Sequence, residues 1–244
     1  MISTTKIIKE FRRIKAIDFI ASSRIGTTGI GKTFEDNLGV IENCKKDPDF
    51  DGFEVKSQRF LAGSPITMFT KQFSSPKGAN KILTSSFGNT DSTYAPLKNL
   101  HASMFTNKES IVYGRYKFTI KLNRREQKLF LEVRDLNSRI LNNECYYTYE
   151  DLQAFKLKNT FIVWANRKRE NGIEHFHFTH AKVFFSFSFD KLLDAIDNGA
   201  VQFDIRVGIF RTGEFIGKPH DHGNGFRLMK EAIPSLFDNV LDVE

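Results

Sequence analysis

The stretch that decides the fold is Asp49-Phe50-Asp51-Gly52-Phe53-Glu54-Val55-Lys56. Its centre, Asp51-Gly52, is a dipeptide that two-residue β-hairpin turns prefer, because both turn positions require positive φ. Side chains alternate along a strand, so Asp49, Glu54 and Lys56 share one face of the predicted hairpin. The apolar side chains of the two arms fall on the opposite face: Phe50, Phe53 and Val55. The stretch therefore predicts a hairpin with one buried face and one charged face.

The charged face of this hairpin brings two carboxylates together. If Phe50 pairs with Phe53, Asp49 lies opposite Glu54, with Cβ atoms about 4.5–5.5 Å apart. Such a pair is unfavourable unless a cation lies between its members, and Mg²⁺ is commonly held by one or two carboxylates, waters and phosphate oxygens. Lys56, on the same face, can orient or help to deprotonate an attacking water. The alternative is a surface hairpin whose Glu54 and Lys56 simply face solvent.

Composition places the chain among globular proteins. It has 244 residues, with 36 Lys and Arg against 29 Asp and Glu, and a formal net charge of +7. Hydrophobic residues make up 40% and charged residues 27%, which excludes general disorder, and 25 Phe residues predict a Phe-rich core. No apolar run approaches the roughly 18 residues of a transmembrane helix, so no membrane partner is expected. The basic excess favours an anionic partner.

The cysteines narrow the class further. Cys44 and Cys145 are the only two, and they do not form a C-x-x-C pair. This excludes a disulfide scaffold and a cysteine-ligated zinc site. A reducing compartment is therefore expected.

Periodicity predicts a mixed α/β chain. Near the N-terminus, apolar residues at helical spacing among basic ones predict an amphipathic helix, either packed on a core or serving as a mitochondrial-type address. Alternation predicts a strand over 116–122 that returns over 129–133, and another strand over 201–209. A helix is expected over 190–196, ended by Asn198-Gly199.

A phosphate-loop pattern also occurs in the chain. Gly26, Gly31, Lys32 and Thr33 fit G-x-x-x-x-G-K-[ST], in which backbone N–H groups cradle phosphates and the Lys reaches the terminal ones. Such a loop follows a buried strand, whereas the residues before Gly26 are polar or helix-like, and a helix is expected to begin only at Thr33. Nucleotide binding is therefore the weaker reading of this segment.

The strand predicted over 201–209 carries a polar face suited to base edges. Asp204 and Arg206 are two residues apart on it; Arg can take guanine O6 and N7, and an acid can accept from cytosine N4. The alternative is an exposed ion pair on a sheet. Further on, His220-Asp221-His222 offers metal-ligating side chains, although two histidines and one acid in a row rarely converge on one ion.

With these residues in view, the chain resembles a known family. Pro48-Asp49-x4-Glu54-x-Lys56 is the PD-(D/E)-x-K nuclease motif, and the whole is similar to the MvaI/BcnI restriction endonucleases, which are related to the MutH strand-nicking protein. The similar blocks keep the family's order from residue 29 to 227: Gly29–Asp36, Thr67–Lys71, Pro76–Asn80, Asp204–Arg206, His220–Gly223 and Phe226-Arg227. The resemblance implies that Gly31-Lys32 does not bind a nucleotide.

The resemblance implies a mixed α+β restriction-endonuclease-like core, whose mixed sheet is flanked by helices, and two lobes around a DNA cleft. Residues 1–160 would form the N-terminal helix and catalytic lobe, and 161–244 the recognition lobe. Asp49, Glu54 and the Val55 carbonyl would hold Mg²⁺, with Glu35 assisting. The implied enzyme is a monomeric type II endonuclease that cuts double-stranded DNA one strand at a time at a CCNGG-like site. A MutH-like repair nickase and a non-catalytic DNA-binding module are the alternatives.

The resemblance also implies DNA contacts, mostly in the major groove. The candidate residues are Lys71, Asp204, Arg206, Phe210, Arg211, His220, Asp221, His222 and Arg227. Lys71 is a candidate for a place beside the scissile phosphate, and a role away from that phosphate is the alternative. Phe210-Arg211 stands where a tyrosine and a histidine are expected, so the resemblance does not predict which central base pair the target has.

Overall fold

A computed structural model describes residues 4–40, 49–60, 62–154 and 158–244. Within these residues the chain forms five α-helices: α1 (Thr5–Lys15), α2 (Gly29–Leu38), α3 (Ala79–Phe87), α4 (Tyr149–Gln153) and α5 (Phe189–Asp197). It also forms sixteen strands: β1 (Ile20–Ala21), β2 (Glu54–Arg59), β3 (Ile66–Lys71), β4 (Asn89–Thr90), β5 (Lys98–Met104), β6 (Ser110–Val112), β7 (Tyr116–Asn123), β8 (Lys128–Asp135), β9 (Ile140–Asn142), β10 (Tyr146–Thr148), β11 (Thr160–Glu170), β12 (Ile173–Phe187), β13 (Val201–Ile209), β14 (Pro219–Asp221), β15 (Asn224–Leu228) and β16 (Phe237–Val243). The predicted mixed α+β class is confirmed. No helix among the described residues has the length and apolar character needed to cross a bilayer.

The chain divides into two compact units that are discontinuous in sequence. The first comprises Met1–Ser64, Leu157–Ser188 and Phe237–Glu244; the second comprises Pro65–Lys156 and Phe189–Leu236. A single boundary near residue 160 does not describe this division, although one of the points at which the chain passes between the two units lies close to that residue. The reason is that strands far apart in sequence pair with each other, which local periodicity does not reveal.

The first unit is built on one sheet, the first sheet, in the order β1-β12-β11-β2, with β16 also paired to β12. Its core is rich in Phe, as the composition predicts. Helix α1 buries Ile7, Phe11 and Ile14 completely at helical spacing, so it is a packed helix, as one of the two interpretations held.

The predicted hairpin is confirmed. Phe50 and Phe53 exchange backbone hydrogen bonds of 3.1 and 2.8 Å, and the turn residues Asp51 and Gly52 have φ of +49° and +87°. This is the geometry of the primed turn that Asp-Gly prefers. Phe53 and Val55 are buried on the core side. Pro48, the first residue of the motif, and Cys44 lie outside the described residues.

The expectation that a helix begins at Thr33 is wrong, because α2 begins at Gly29. Gly31 and Lys32 therefore lie within a helix, where Lys32 pairs with Asp36 one turn later. A phosphate loop connects a buried strand to its helix, whereas the strand before α2 is β1, which has two residues and is not buried. The nucleotide-binding interpretation has no structural basis.

The second unit contains two sheets. The second sheet has the order β10-β8-β7-β6 with β9 paired to β8, and it includes the predicted hairpin of β7 and β8. The third sheet has the order β3-β15-β13-β5-β4 with β14 paired to β13. In β13 the residues at every second position are buried, as predicted: Val201, Phe203, Ile205, Val207 and Ile209. The predicted helix is α5, and Gly199 follows it with φ of +71°.

Candidate functional site

The first candidate site lies at the free edge of the first sheet. Among the strands that the structure describes, β2 is the last in that sheet and pairs in parallel with β11 alone. The Val55 N–H donates to Asp49 Oδ2 at 2.8 Å, on the side of β2 away from β11. The N–H and C=O groups of one strand residue point to the same side, so the Val55 carbonyl also faces this edge. The Asp49 carboxylate and this carbonyl are thus brought together at the edge.

The two carboxylates of the motif act on each other electrostatically. Burial raises the pKa of Asp49, the negative charge of Glu54 raises it further, and the Val55 N–H, Lys158 and Lys56 oppose the rise. A carboxyl group that is half-buried beside another carboxylate favours either a proton or a cation. The predicted juxtaposition of Asp49 and Glu54 is therefore present.

Two lysines bracket Glu54. The Nζ atom of Lys56 lies 3.6 Å from Glu54 Oε1, and that of Lys158 lies 3.3 Å from Glu54 Oε2. Lys158 comes two residues before Thr160, which pairs with Glu54 in the parallel ladder, and this register carries it to the site. Sequence reasoning missed Lys158, because only the pairing of β2 with β11 places it there.

Glu35 lies on α2, which packs against β2. Its carboxylate lies back over the preceding turn, with Oε1 3.7 Å from the point where Gly31 would carry a β-carbon. Phe34, the neighbouring residue, is fully buried in the core cluster that includes Phe53 and Val55. The packing of the helix thus fixes where the Glu35 backbone stands relative to the strand.

The donor set at this edge fits a divalent cation. Asp49 and Glu54 supply carboxylate oxygens, and Val55 supplies a carbonyl oxygen, which are the ligands that Mg²⁺ prefers. Among the residues that the structure describes, no group of three His, Cys, Asp or Glu side chains is arranged to hold a metal. His220-Asp221-His222 is therefore not such a group, and neither are Glu35, Asp49 and Glu54 together.

The second candidate site is the polar face of the third sheet, with Arg206 at its centre. Within the described part of the chain, the Arg206 guanidinium makes no hydrogen bond or ion pair, and its Nε is buried. Gly225 on β15 leaves space beside it: a β-carbon there would lie 3.5 Å from the guanidinium carbon. The Arg206 carbonyl accepts from the His222 N–H at 3.0 Å. An arginine without acceptors on a sheet face is suited to an external one.

Asp204 and Arg227 form an internal pair. Arg227 Nη1 lies 2.7 Å from Asp204 Oδ2, and Arg227 Nη2 donates to the Pro65 carbonyl at 2.9 Å. Asp204 Oδ1 also accepts from Ser103 Oγ at 2.7 Å and from Gln202 Nε2 at 2.8 Å, and the residue is 4% exposed. Three of the roughly four lone-pair positions of the Asp204 carboxylate are therefore used within the protein.

The His220-Asp221-His222 segment presents two imidazoles. Their ring centroids lie 3.7 Å apart, and Phe210 stacks on His220 at 3.8 Å with an interplanar angle of 7°. Burial, together with His220, Arg206 and His101, lowers the pKa of His222, so this imidazole stays neutral at pH 7. The Asp221 carboxylate faces inward, and it accepts hydrogen bonds that fix the segment from Gln72, Asn80 and the Gly223 N–H.

The remaining predicted residues, Arg211 and Lys71, are paired elsewhere in the second unit. Arg211 forms a two-pronged pair with the buried Asp91, whose pKa it holds far below the usual range. Lys71 Nζ lies 3.1 Å from Asp151. In each pair the carboxylate offsets the charge that a DNA phosphate would otherwise meet, although both cations keep N–H donors that the pair does not use. Their predicted roles therefore stay predictions.

Comparison with known proteins agrees with this arrangement. The profile of the MvaI/BcnI restriction endonuclease family matches residues 8–237. A search of curated proteins finds no match. A solved complex of restriction endonuclease MvaI with its cognate DNA substrate is 30% identical over the whole of both chains, with a TM-score of 0.91. MvaI in the absence of DNA is 29% identical over 100% of this chain and 99% of that chain, with a TM-score of 0.63. The chain belongs to the MvaI/BcnI restriction endonuclease family and is a restriction endonuclease.

Proposed function

We propose that the chain is a Mg²⁺-dependent type II restriction endonuclease of the bacterial cytoplasm that hydrolyses phosphodiester bonds of double-stranded DNA. The observation that carries this proposal is the edge formed by Asp49, Glu54 and the Val55 carbonyl, with Lys56 beside it. Oxygen ligands for a divalent cation and a lysine within reach of the same carboxylate are the parts that metal-assisted hydrolysis requires.

In the proposed mechanism, Asp49, Glu54 and the Val55 carbonyl would hold the cation, and Glu35 would assist from α2. A bound Mg²⁺ supplies positive charge for the phosphate oxygens. Lys56 orients a water that attacks phosphorus in line, and it offsets the phosphate charge. The bond from phosphorus to the 3′ oxygen breaks, which leaves a 5′-phosphate and a 3′-hydroxyl.

Digestion of a plasmid with Mg²⁺, followed by sequencing of the ends, tests the chemistry. Asp49→Ala and Glu54→Ala should abolish cleavage and keep cognate DNA binding, because neither residue reads bases. Glu170→Ala removes an exposed carboxylate of the same unit and serves as the matched control. Near wild-type cutting by Asp49→Ala would refute the site. Nicking that requires a partner protein would indicate a MutH-like enzyme. DNA binding without any cleavage would indicate a non-catalytic DNA-binding module.

For recognition, we propose that Arg206 takes guanine O6 and N7, with His220 and His222 at neighbouring edges, in a CCNGG-like site. The MvaI complex with cognate DNA supports this reading by its similarity along the whole chain. Arg206→Ala should weaken cognate binding about 10- to 100-fold and change random-DNA binding little. Arg125→Ala, an exposed arginine of the second unit, is the control. Equal loss on cognate and random DNA would make Arg206 a phosphate contact.

We further propose that one monomer engages this site and cuts one strand at a time. A single active edge per chain then requires two separate events for a double-strand break. Supercoiled plasmid should pass through an open-circle intermediate at limiting enzyme, and sedimentation should give one chain. A stable dimer that cuts both strands together, without a nicked species, would contradict this.

A further inference from the structure

His101 lies on the polar face of the third sheet, beside Arg206. Strand β5 buries Leu100 and Ala102, so the residue between them points to the opposite face. In the antiparallel pairing of β5 with β13, His101 is the direct partner of Arg206. Cβ atoms of such partners lie about 4.5–5.5 Å apart, so the two side chains are neighbours.

The local structure holds this imidazole in a defined place. The His101 backbone N–H donates to the Tyr113 hydroxyl at 2.9 Å. The ring reaches across to β13, where Nε2 lies 3.7 Å from the point at which Gly208 would carry a β-carbon. Gly208 is also the register partner of His220 on its other side. The missing side chain at Gly208 therefore leaves a gap that imidazoles border from both neighbouring strands.

The ring nitrogens of His101 are available to an external group. His101 is exposed, and neither nitrogen has a hydrogen-bond partner among the residues that the structure describes. A neutral imidazole both donates and accepts one hydrogen bond. The residue next to it, Arg206, likewise lacks an acceptor. Two adjacent side chains with unmet hydrogen-bonding groups on one open face suit a ligand that offers acceptors side by side.

We propose that His101 is a specificity-determining residue, which donates from its ring to N7 of the guanine next to the one that Arg206 contacts. This inference rests on the proposed function. Successive base pairs are about 3.4 Å apart along the duplex and cross-strand Cβ atoms about 4.5–5.5 Å apart, so two neighbouring side chains can each reach one of two successive bases. Phosphate affinity depends on the number of cations that meet the backbone, whereas a ring hydrogen bond to a base edge adds sequence preference. The acceptor that suits the ring is the purine N7 in the major groove.

The test uses the full chain and its cognate duplex, as identified from the sequenced ends. His101→Ala should weaken cognate binding about 5- to 10-fold, the effect of one hydrogen bond, and leave random-DNA binding unchanged. His101→Phe keeps the ring volume, removes both nitrogens and should behave the same. His175→Ala, at a partly exposed histidine of the first unit, is the matched control and should have no effect.

Replacing each guanine in turn by 7-deazaguanine, which lacks the N7 acceptor, identifies the contact. At one guanine the replacement should weaken wild-type binding and have no further effect on His101→Ala. The inference would be overturned if every 7-deazaguanine replacement weakened binding by His101→Ala as much as binding by the wild type. It would also be overturned if His101→Ala lost cognate and random DNA binding equally, or lost no binding. Arg206→Ala is measured in parallel: if it loses cognate preference while the His101 variants keep theirs, this inference alone fails. If Arg206→Ala keeps its preference, the proposed recognition face itself fails.

Discussion

Removal of the Asp204 carboxylate tests whether this residue serves the protein interior or the DNA. Asp204→Ala takes the acceptor away from Ser103, Gln202 and Arg227. Ser103 and Gln202 reach solvent, but the Arg227 side chain is only 26% exposed and its Nε already lacks a partner. Breaking a buried ion pair costs about 3–5 kcal/mol. With a quarter of Arg227 in solvent, we expect a loss of about 2–3 kcal/mol in the free energy of unfolding.

A double-mutant cycle isolates the pair from other effects of each substitution. Asp204→Ala, Arg227→Ala and the double variant are unfolded in urea and followed by circular dichroism, and the coupling should be about 2 kcal/mol. The exposed pair Lys128–Glu126, 3.9 Å apart in the same unit, is the control, with a coupling below about 0.5 kcal/mol. Fluorescence of Trp164, the only tryptophan, reports on the first unit separately.

The two possible roles of Asp204 predict different results. As an internal partner of Arg227, it contributes to stability, and its loss weakens DNA binding only through a displaced arginine. As a reader of cytosine, it contributes to cognate preference and little to stability. A coupling no larger than that of the control pair, together with loss of cognate preference by the folded variant, would refute the internal role.

Burial and the charge of Glu54 raise the pKa of Asp49, so its ionised form opposes folding above that pKa, and stability increases as pH falls through it. In calorimetry at pH 7 without divalent metal, Asp49→Asn should therefore melt at a higher temperature than wild type. Ca²⁺ should stabilise the wild type but not this variant. A lower melting temperature of the metal-free variant would contradict this. Lys158→Gln removes a cation 3.3 Å from Glu54 and should tighten Ca²⁺ binding in titration calorimetry, whereas Lys168→Gln, at a partly exposed lysine of the same unit, should not. Lys32→Ala should retain cleavage activity, and ATP should bind neither this variant nor the wild type. ATP binding by the wild type that Lys32→Ala abolishes would support the phosphate-loop interpretation instead.

The features that sequence predicts are those fixed by local interactions. The Asp51-Gly52 turn follows from the φ values that these residues tolerate, and it sets the strand phase that puts Glu54 and Lys56 on one face. The alternation in β13 follows from burial of one face of a sheet. Each of these signals lies within ten residues, so no knowledge of the tertiary fold is needed to find it.

The features that sequence misses depend on pairing between distant strands. Lys158 reaches Glu54 only because β11 runs parallel to β2, about 100 residues away in sequence. His101 reaches Arg206 only through the pairing of β5 with β13. Arg211 forms an ion pair with Asp91, which is 120 residues away in the sequence, and no local pattern indicates this pair. Periodicity gives the face of each residue but not its neighbour on the next strand.

These pairings separate specificity from general affinity for DNA. On and around the polar face of the third sheet, Arg227 is neutralised by Asp204, Arg211 by Asp91, and Lys71 by Asp151. Arg206 keeps its charge without an acceptor among the described residues, beside imidazoles that include a neutral His222. Because phosphate affinity scales with the number of cations that meet the backbone, this face contributes little of it. In the proposed function, the polar face therefore selects the sequence, and salt-dependent affinity arises from lysines and arginines on other elements.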